Sequence, residues 1–227
     1  MANICIIPAR GGSKRIPRKN IKDFLGKPIL AYSIETALKS QLFDSVLVST
    51  DDEEIASIAK KYGASVPFLR SAKNSGDTAT TFDVLKEVLE HFAVVEYGCC
   101  IYPCAPFVSS ELLQKAFQQL KNDQLDCVFP MIAYGHPIQR AYLQENNFIR
   151  PMHPENALKR SQDLPVTYHD AGQFYFFKSQ AILSKKKLIT DKTGGLEISE
   201  MDAQDIDNEI DWELAEMKYK LKQKRGL

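Results

Sequence analysis

Along the first half of this 227-residue chain, apolar runs of strand length alternate with stretches of helical period. Cys5-Ile6-Ile7 predicts a buried first strand that breaks at Pro8. A helix is expected over about residues 28–39. Pro28 suits its first turn, and Ile29, Leu30, Ile34, Ala37 and Leu38 fall at helical spacing. The β-branched run Ser45–Ser49 predicts the next strand. Thr50-Asp51-Asp52-Glu53-Glu54 then supplies caps and first-turn acids for a helix with Ile55, Ile58, Ala59 and Tyr62 inward. Val66-Pro67-Phe68 reads as another short extended piece, and residues 70–81 as a polar loop. Phe82, Leu85, Val88, Leu89 and Phe92 mark an amphipathic helix, and Cys99-Cys100-Ile101-Tyr102 a central strand. Ser109-Ser110 caps a helix carrying Leu112, Leu113, Ala116, Phe117 and Leu120, before the strand Cys127-Val128-Phe129-Pro130-Met131. Such alternation predicts an α/β fold, mostly parallel, with helices on both faces and ligands at the carboxyl ends of the strands.

Over about residues 134–165 the pattern dissolves into prolines and polar residues, which reads as an insertion, a hairpin or arm serving oligomerisation or a second substrate. A strand then resumes over 172–177, whose aromatics Phe174, Tyr175, Phe176 and Phe177 are expected to pack mostly in the core on alternate faces. A short helix near 181–183, an extended Leu196-Glu197-Ile198 and a last helix over about 212–222 complete one domain spanning 1–227.

Charge narrows the partners. The 29 Lys+Arg balance 29 Asp+Glu, so a basic stretch is a local feature and the expectation is no nucleic acid. Five cysteines without a C-x-x-C pair speak against a disulfide framework or zinc site and for reduced thiols. No segment approaches the roughly 18 apolar residues of a membrane span, so a soluble, cytoplasmic chain without membrane contact is expected.

The chemistry concentrates at two places. After the first strand the loop carries Arg10, Gly11, Gly12, Ser13, Lys14, Arg15, Arg18 and Lys19. Adjacent glycines let backbone N–H groups approach an anion, and the cations offer forked and point-charge partners to phosphate oxygens. At the other end lies Asp205-Ile206-Asp207. In an extended segment the two carboxylates share a side, a donor pair suited to Mg²⁺ that also binds substrate phosphates, although Asp207 or Asn208 could instead cap the last helix. Cations for a polyphosphate plus carboxylates for its metal point to phosphoryl or nucleotidyl transfer. The spacing matches neither the G-x-x-x-x-G-K-[ST] loop nor G-x-G-x-x-G.

With those residues in view, Ile7-Pro8-Ala9-Arg10-Gly11-Gly12-Ser13-Lys14-Arg15-Ile16-Pro17-Arg18-Lys19-Asn20 resembles the signature of the CMP-sialic acid synthetase family, cytidylyltransferases for nine-carbon 2-keto sugar acids. The likeness runs over nearly the whole chain. Arg70 with Asp77-Thr78-Ala79-Thr80-Thr81 is similar to the cytosine and ribose segment, Tyr102-Pro103-Cys104-Ala105-Pro106 to a Q-P-T-S-P motif, and Asp205-Ile206-Asp207 to a metal-binding D-x-D. Residues 137–141, 160–165 and 168–175 look like the pseudaminic acid branch. Tyr102 and Cys104 depart from the five-residue motif, which suggests a sugar of different acyl-amino pattern or stereochemistry.

The resemblance implies a three-layer αβα, Rossmann-like nucleotide-diphospho-sugar transferase fold and a homodimer in which the inserted arm reaches the partner's site. It implies CTP and a nonulosonic acid as substrates and Mg²⁺ as cofactor. Ala9, Arg10, Gly11, Gly12, Ser13, Lys14, Lys19, Asn20, Arg70, Ala79 and Thr81 become candidates for the nucleotide. Tyr102, Gln139, Arg140, Arg160, Gln162, Asp163, His169, Gln173, Phe174 and Tyr175 become candidates for the sugar, with Arg140 or Arg160 for its carboxylate. Asp205 and Asp207 are expected to hold the metal, and Arg10, Lys14, Lys19 and Asp207 to act in catalysis. N-acetylneuraminic or legionaminic acid are alternative substrates. A nucleotide-binding regulator without turnover and a glycosyltransferase are the rival functions. The intact Asp205 and Asp207 argue against the first, and the position of the pair just before the last helix against the second.

Overall fold

The computed structural model describes residues 2–92 and 94–225. In chain order the elements are β1 (Ala2–Pro8), a hairpin of β2 (Asp23–Phe24) and β3 (Lys27–Pro28), α1 (Ile29–Ser40), β4 (Ser45–Ser49), α2 (Glu53–Lys61) and α3 (Ala72–Ser75). They continue with α4 (Thr81–Leu89), β5 (Val95–Ile101), α5 (Ser110–Asn122), β6 (Cys127–Ala133), the hairpin β7 (Tyr142–Glu145) and β8 (Phe148–Pro151), and β9 (Tyr168–Asp170). The chain closes with β10 (Phe174–Lys178), α6 (Ser179–Lys185), β11 (Thr193–Glu197) and α7 (Glu209–Arg225).

The central sheet has the order β11-β6-β10-β5-β1-β4, with β9 paired to the end of β6. All pairs along this order are parallel except those of β10, which runs antiparallel between β5 and β6. This inversion matters for function. Phe174 opposite Ile101 puts the start of β10 at the edge where β1, β4, β5 and β6 end, so the segment before β10 joins the loops that leave those strands.

Side chains alternate across the sheet as the strand period requires. Cys5, Ile7, Val48, Cys99, Ile101, Phe174 and Phe176 face α1, α2 and α5, whereas Ile4, Ile6, Leu47, Cys100, Tyr175 and Phe177 face α4 and α6. A third cluster ties the loop after β1 to the last helix, packing Ile16, Phe24, Ile29, Tyr32, Phe107 and Ile206 around Trp212 and Ala215.

Most expected elements occur within a few residues of their sequence positions. One does not. Residues 66–68 form no strand, because only Ser65 bridges Leu47 before Pro67, which has no N–H to extend a ladder. The irregular stretch 134–165 folds into short 3-10 turns around the β7–β8 hairpin, which stands away from the sheet with Phe148 79% and Ile149 67% exposed.

Gly98 in β5 is a packing requirement. A Cβ there would lie 2.3 Å from two ring carbons of Phe177, which is itself fully buried. Gly98→Ala should cost about 1–3 kcal/mol through overpacking, read as a lower urea midpoint with unchanged slope. A midpoint equal to that of the unsubstituted chain would show that the β5–β10 contact is looser than described.

Candidate active site

The loop leaving β1 is anchored by acids of neighbouring strand ends. The Gly11 N–H donates to Asp51 Oδ1 at 2.9 Å, and a Cβ on Gly11 would sit 2.8 Å from Asp52 Oδ2, so this close approach demands glycine. That N–H is therefore turned toward a carboxylate, which narrows the expected backbone cradle to the part of the loop around Gly12, where a Cβ would meet nothing within 4 Å.

The cations of the loop separate into two groups. Arg18, held in left-handed conformation (φ 56°), forks onto Asp52 and reaches Glu54 at 2.6 Å, fastening the loop to the start of α2. It does not line the cavity that the other loop cations share. Arg10, Ser13, Lys14, Arg15, Lys19 and Asn20 do line one cavity of about 400 Å³, together with Pro8, Asp77, Pro103 and Asp207. A larger cavity of about 870 Å³ lies among Val95, Tyr97 and Lys178, where β5 begins and β10 ends, at the opposite edge of the sheet from these side chains.

Inside the smaller cavity the cations meet carboxylates and carbonyls. Asp77 accepts from Arg10 Nη1 at 2.9 Å and from Lys14 Nζ, and these cations, Lys14 first, hold its carboxyl below the usual range. Lys19 Nζ donates to the Ile206 carbonyl at 2.6 Å, and Arg15 Nη2 to Asp207 Oδ1 at 2.7 Å. The two ends of the chain thus meet here. Asn20, buried, donates to the Arg10 carbonyl at 2.8 Å and accepts from the Cys104 thiol, so its amide braces the loop.

Asp205 and Asp207 flank the buried Ile206, as the extended alternation requires. The capping role falls to Asn208, whose Oδ1 accepts from the Ile210 and Asp211 N–H groups, while Asp211 accepts from the Asn208 N–H. Neither Asp205 nor Asp207 is used up as a cap. Desolvation, and then the charge of Asp207, push the Asp205 carboxyl above its ordinary range, the electrostatic condition in which a shared cation is stabilising. Among the described residues no group of three or more His, Cys, Asp and Glu could hold a metal. Two carboxylates on one side of an extended segment are a donor pair of the kind Mg²⁺ takes when substrate oxygens and water complete its shell.

Other sequence candidates divide by position. Tyr102 stands 5.7 Å ring to ring from Tyr175, with its hydroxyl 3.4 Å from Thr81 Oγ1, and Tyr175 donates to Asp170. Gly172, with φ 62°, lies against Asp205, so the turn before β10 borders the acidic segment. Arg70 is buried and donates from Nε to Ser49 Oγ at 2.9 Å, so much of its guanidinium secures the end of β4. Ala79 sits in the turn before α4. Ala9 is fully buried and serves packing.

Phe174 is also fully buried, facing α1 and α5 through strand alternation, which removes it from the sugar-facing set. Gln173 is buried with its Nε2 directed to the Ala171 and Gly172 carbonyls and its Oε1 unpartnered. The remaining candidates do not line the cavity. Gln139 donates to the Pro165 carbonyl, Arg140 to Ser161, and Arg160 forks onto Asp163, with Gln162 exposed beside them. His169 lies on β9 with its ring 4.9 Å from Tyr134. By sequence Arg15 stood with Arg18 among the loop's cations and Asp77 in the segment similar to a cytosine and ribose site, without either being a named candidate. The signal was charge alone, and the cavity separates Arg15, which lines it with Asp77, from Arg18.

Residues 4–225 match the cytidylyltransferase family, and the chain belongs to it. It is 43% identical over 226 residues to a pseudaminic acid cytidylyltransferase of Campylobacter jejuni, covering 97% of each chain. It is 30% identical to the CMP-N,N'-diacetyllegionaminic acid synthase of Legionella pneumophila, covering 98% of each. Among solved structures it is similar to a CMP:2-keto-3-deoxy-manno-octonic acid synthetase complexed with CTP, with TM-score 0.73 and 17% identity over 99% of this chain and 100% of that one, a likeness of fold.

The Arg18–Asp52 pair gives a pH signature. Arg18 holds the folded Asp52 carboxyl at about 2, against about 3.9 for an unfolded aspartate. A depressed folded value contributes stability above the unfolded one, and that contribution disappears as pH falls from about 4 to 2. Asp52→Asn keeps a competent cap for α2 but loses the pair. It should cost about 0.5–1 kcal/mol at pH 7 and flatten stability in that acid window, measured by urea denaturation at several pH values.

Proposed function

We propose that this chain transfers CMP from CTP to the anomeric C2 hydroxyl of a nine-carbon nonulosonic acid, with pseudaminic acid as the substrate, and releases pyrophosphate. The observation that carries this reading is the 43% identity with the Campylobacter pseudaminic acid enzyme across 97% of both chains. A cavity that joins Arg10, Ser13, Lys14 and Lys19 to Asp207 supports it.

In the reaction the C2 oxygen attacks the α-phosphorus in line with the leaving pyrophosphate oxygen. Arg10 and Lys14 exchange Asp77 for phosphate oxygens, and Lys19 neutralises charge growing on the bridging and leaving oxygens. Asp205 and Asp207 would hold Mg²⁺, which when bound would screen phosphate charge and lower the pKa of the attacking hydroxyl. The Tyr102, Tyr175 and Asp170 group forms the wall on the sugar side, and Arg70 and Thr81 border the nucleoside.

The protein acts in this reading as a cytoplasmic homodimer. Ile138, Tyr142, Phe148, Ile149, Met152 and Leu158 expose apolar surface along the 134–165 arm, more than an isolated arm needs, and a second copy of the chain covers it. No helix among the described residues is long and apolar enough to cross a membrane. Replacing Phe148 and Ile149 together by serine should yield monomers in light scattering. Unchanged mass would place the dimer contact elsewhere.

Pyrophosphate release from CTP, assayed with pseudaminic, legionaminic and N-acetylneuraminic acids, tests the activity and the substrate. Release with pseudaminic acid is expected to exceed that with the other two. Asp207→Ala should reduce turnover by about 10²–10³-fold with a near-normal melting temperature, since its side chain is 46% exposed and serves no cap. Full activity of that variant in Mg²⁺ would remove the metal assignment.

A further inference from the structure

We propose that the outer face of the last helix, α7, is a self-association surface on which a second copy of the chain lays its own α7 antiparallel. This goes beyond the cytidylyl transfer read above and uses none of the residues placed in that reaction.

The helix carries two apolar stripes. At about 100° per residue, Trp212, Ala215 and Tyr219 fall on one side, where the aromatic pair packs edge-on against Phe24, Tyr32 and Phe107. Ile210, Leu214, Met217 and Leu221 fall within about 60° of one another on the opposite side. Ile210 is 69% and Met217 64% exposed, and Leu214 and Leu221 lie open beside them. A helix docked on its domain by one face carries polar residues on the other, so the first stripe is the one this fold requires. The second has no role within the chain, and a continuous row of four large apolar side chains marks a contact surface.

Spacing gives the shape of the partner. Steps of four, three and four residues from Ile210 to Leu221 are those of the a/d seam along which two helices pack. The occupant is therefore another helix.

Charge identifies that helix. Glu209, Asp211, Glu213 and Glu216 occupy the first half of α7, and Lys218, Lys220, Lys222, Lys224 and Arg225 the second. A parallel copy would lay acid on acid and base on base. An antiparallel copy sets each acidic half against a basic one and opposes the two helix dipoles. The seam itself is symmetric under that reversal. Ile210 meets the partner's Leu221 and Leu214 meets the partner's Met217, each contact occurring twice as a two-fold interface requires. On one flank of the seam stand the exposed Glu213 and Lys220, and reversal brings Glu213 to within about 3 Å, measured along the axis, of the partner's Lys220. Within its own chain Lys220 has only the Glu216 carboxylate at 3.5 Å, an exposed pair that is readily exchanged.

Size sets the strength. The 17 residues of α7 span about 25 Å, and four apolar side chains a copy put the contact at the low end of interface sizes. It is accordingly weak, open in dilute solution and populated as concentration rises, joining copies whether they are single or already linked through the arm.

Sedimentation velocity from micromolar to submillimolar concentration reads this contact. The average mass of the unsubstituted chain should climb from its dilute value toward twice that value. The double variant Leu214→Gln, Met217→Gln should keep the dilute mass throughout, with melting temperature and pyrophosphate release unchanged. Glu213→Lys and Lys220→Glu should each weaken association at least tenfold, and the two combined in one chain should restore it, because reversal then pairs the exchanged charges. Mild oxidation of mixed Ile210→Cys and Leu221→Cys chains, followed by peptide mapping, should join position 210 to position 221 in preference to 210 to 210.

A constant mass for the unsubstituted chain overturns the proposal, and so does an equal rise in the Leu214→Gln, Met217→Gln variant. Preferential linkage of 210 to 210 overturns the antiparallel arrangement. A fall of the dilute mass in the double variant also overturns it, by assigning the stripe to the arm contact. Failure to turn over any nonulosonic acid would overturn the proposed activity and leave the comparison of masses intact.

Discussion

Charge compensation at the carboxyl edge of the sheet is the constraint on which the rest depends. Arg10, Lys14, Arg15, Arg18 and Lys19 fall within ten residues and would repel one another in an unsupported loop. Each is met by an oxygen from one of three distant parts of the chain. Arg18 meets Asp52 after β4, Arg10 and Lys14 meet Asp77 before α4, and Arg15 and Lys19 meet the segment before α7. Those contacts make the loop a fixed wall and also preview its chemistry. Asp77 is a carboxylate shared by Arg10 and Lys14, and Asp207 is one held by Arg15.

The topology explains why such distant acids are available. Parallel strands deliver their following loops to one edge, which accounts for Asp51 and Asp52 beside Gly11. The antiparallel β10 adds what a purely parallel sheet would lack, because its amino end brings Asp170, Gly172 and Tyr175 to the same edge. Ile206, buried between Ile16 and Trp212, then pins the acidic segment so that its two aspartates point back toward the loop. The apolar cluster and the ion pairs act on one segment from opposite faces.

Much of this was legible in the residues. Strand and helix periods located β1, α1, β4, α2, β5, α5 and β6 closely, since an element with one buried face must repeat its apolar positions at the period of its geometry. The same rule placed Asp205 and Asp207 on one side of Ile206. Alternation also sends Phe174 to the face of α1 and α5 and Tyr175 to the opposite face, where it reaches Asp170, and because both faces are covered all four rings from Phe174 to Phe177 are buried. Residues 66–68 misled because three apolar positions resemble a strand, although Pro67 removes a donor.

Sequence alone therefore determined the alternating α/β architecture, the cationic, glycine-containing opening loop and the carboxylate pair, because each depends on local periodicity or on adjacent residue types, and its resemblance over nearly the whole length gave the cytidylyltransferase family. Tertiary structure alone decided the inversion of β10, the separation of Arg18 from Arg15, and the meeting of Arg15 with Asp207 across 192 positions. A charge has no period and its sequence neighbours do not reveal its partner. Which cation is spent on holding the fold, and which is left for a ligand, is set by long-range contacts that form only when the strand ends converge.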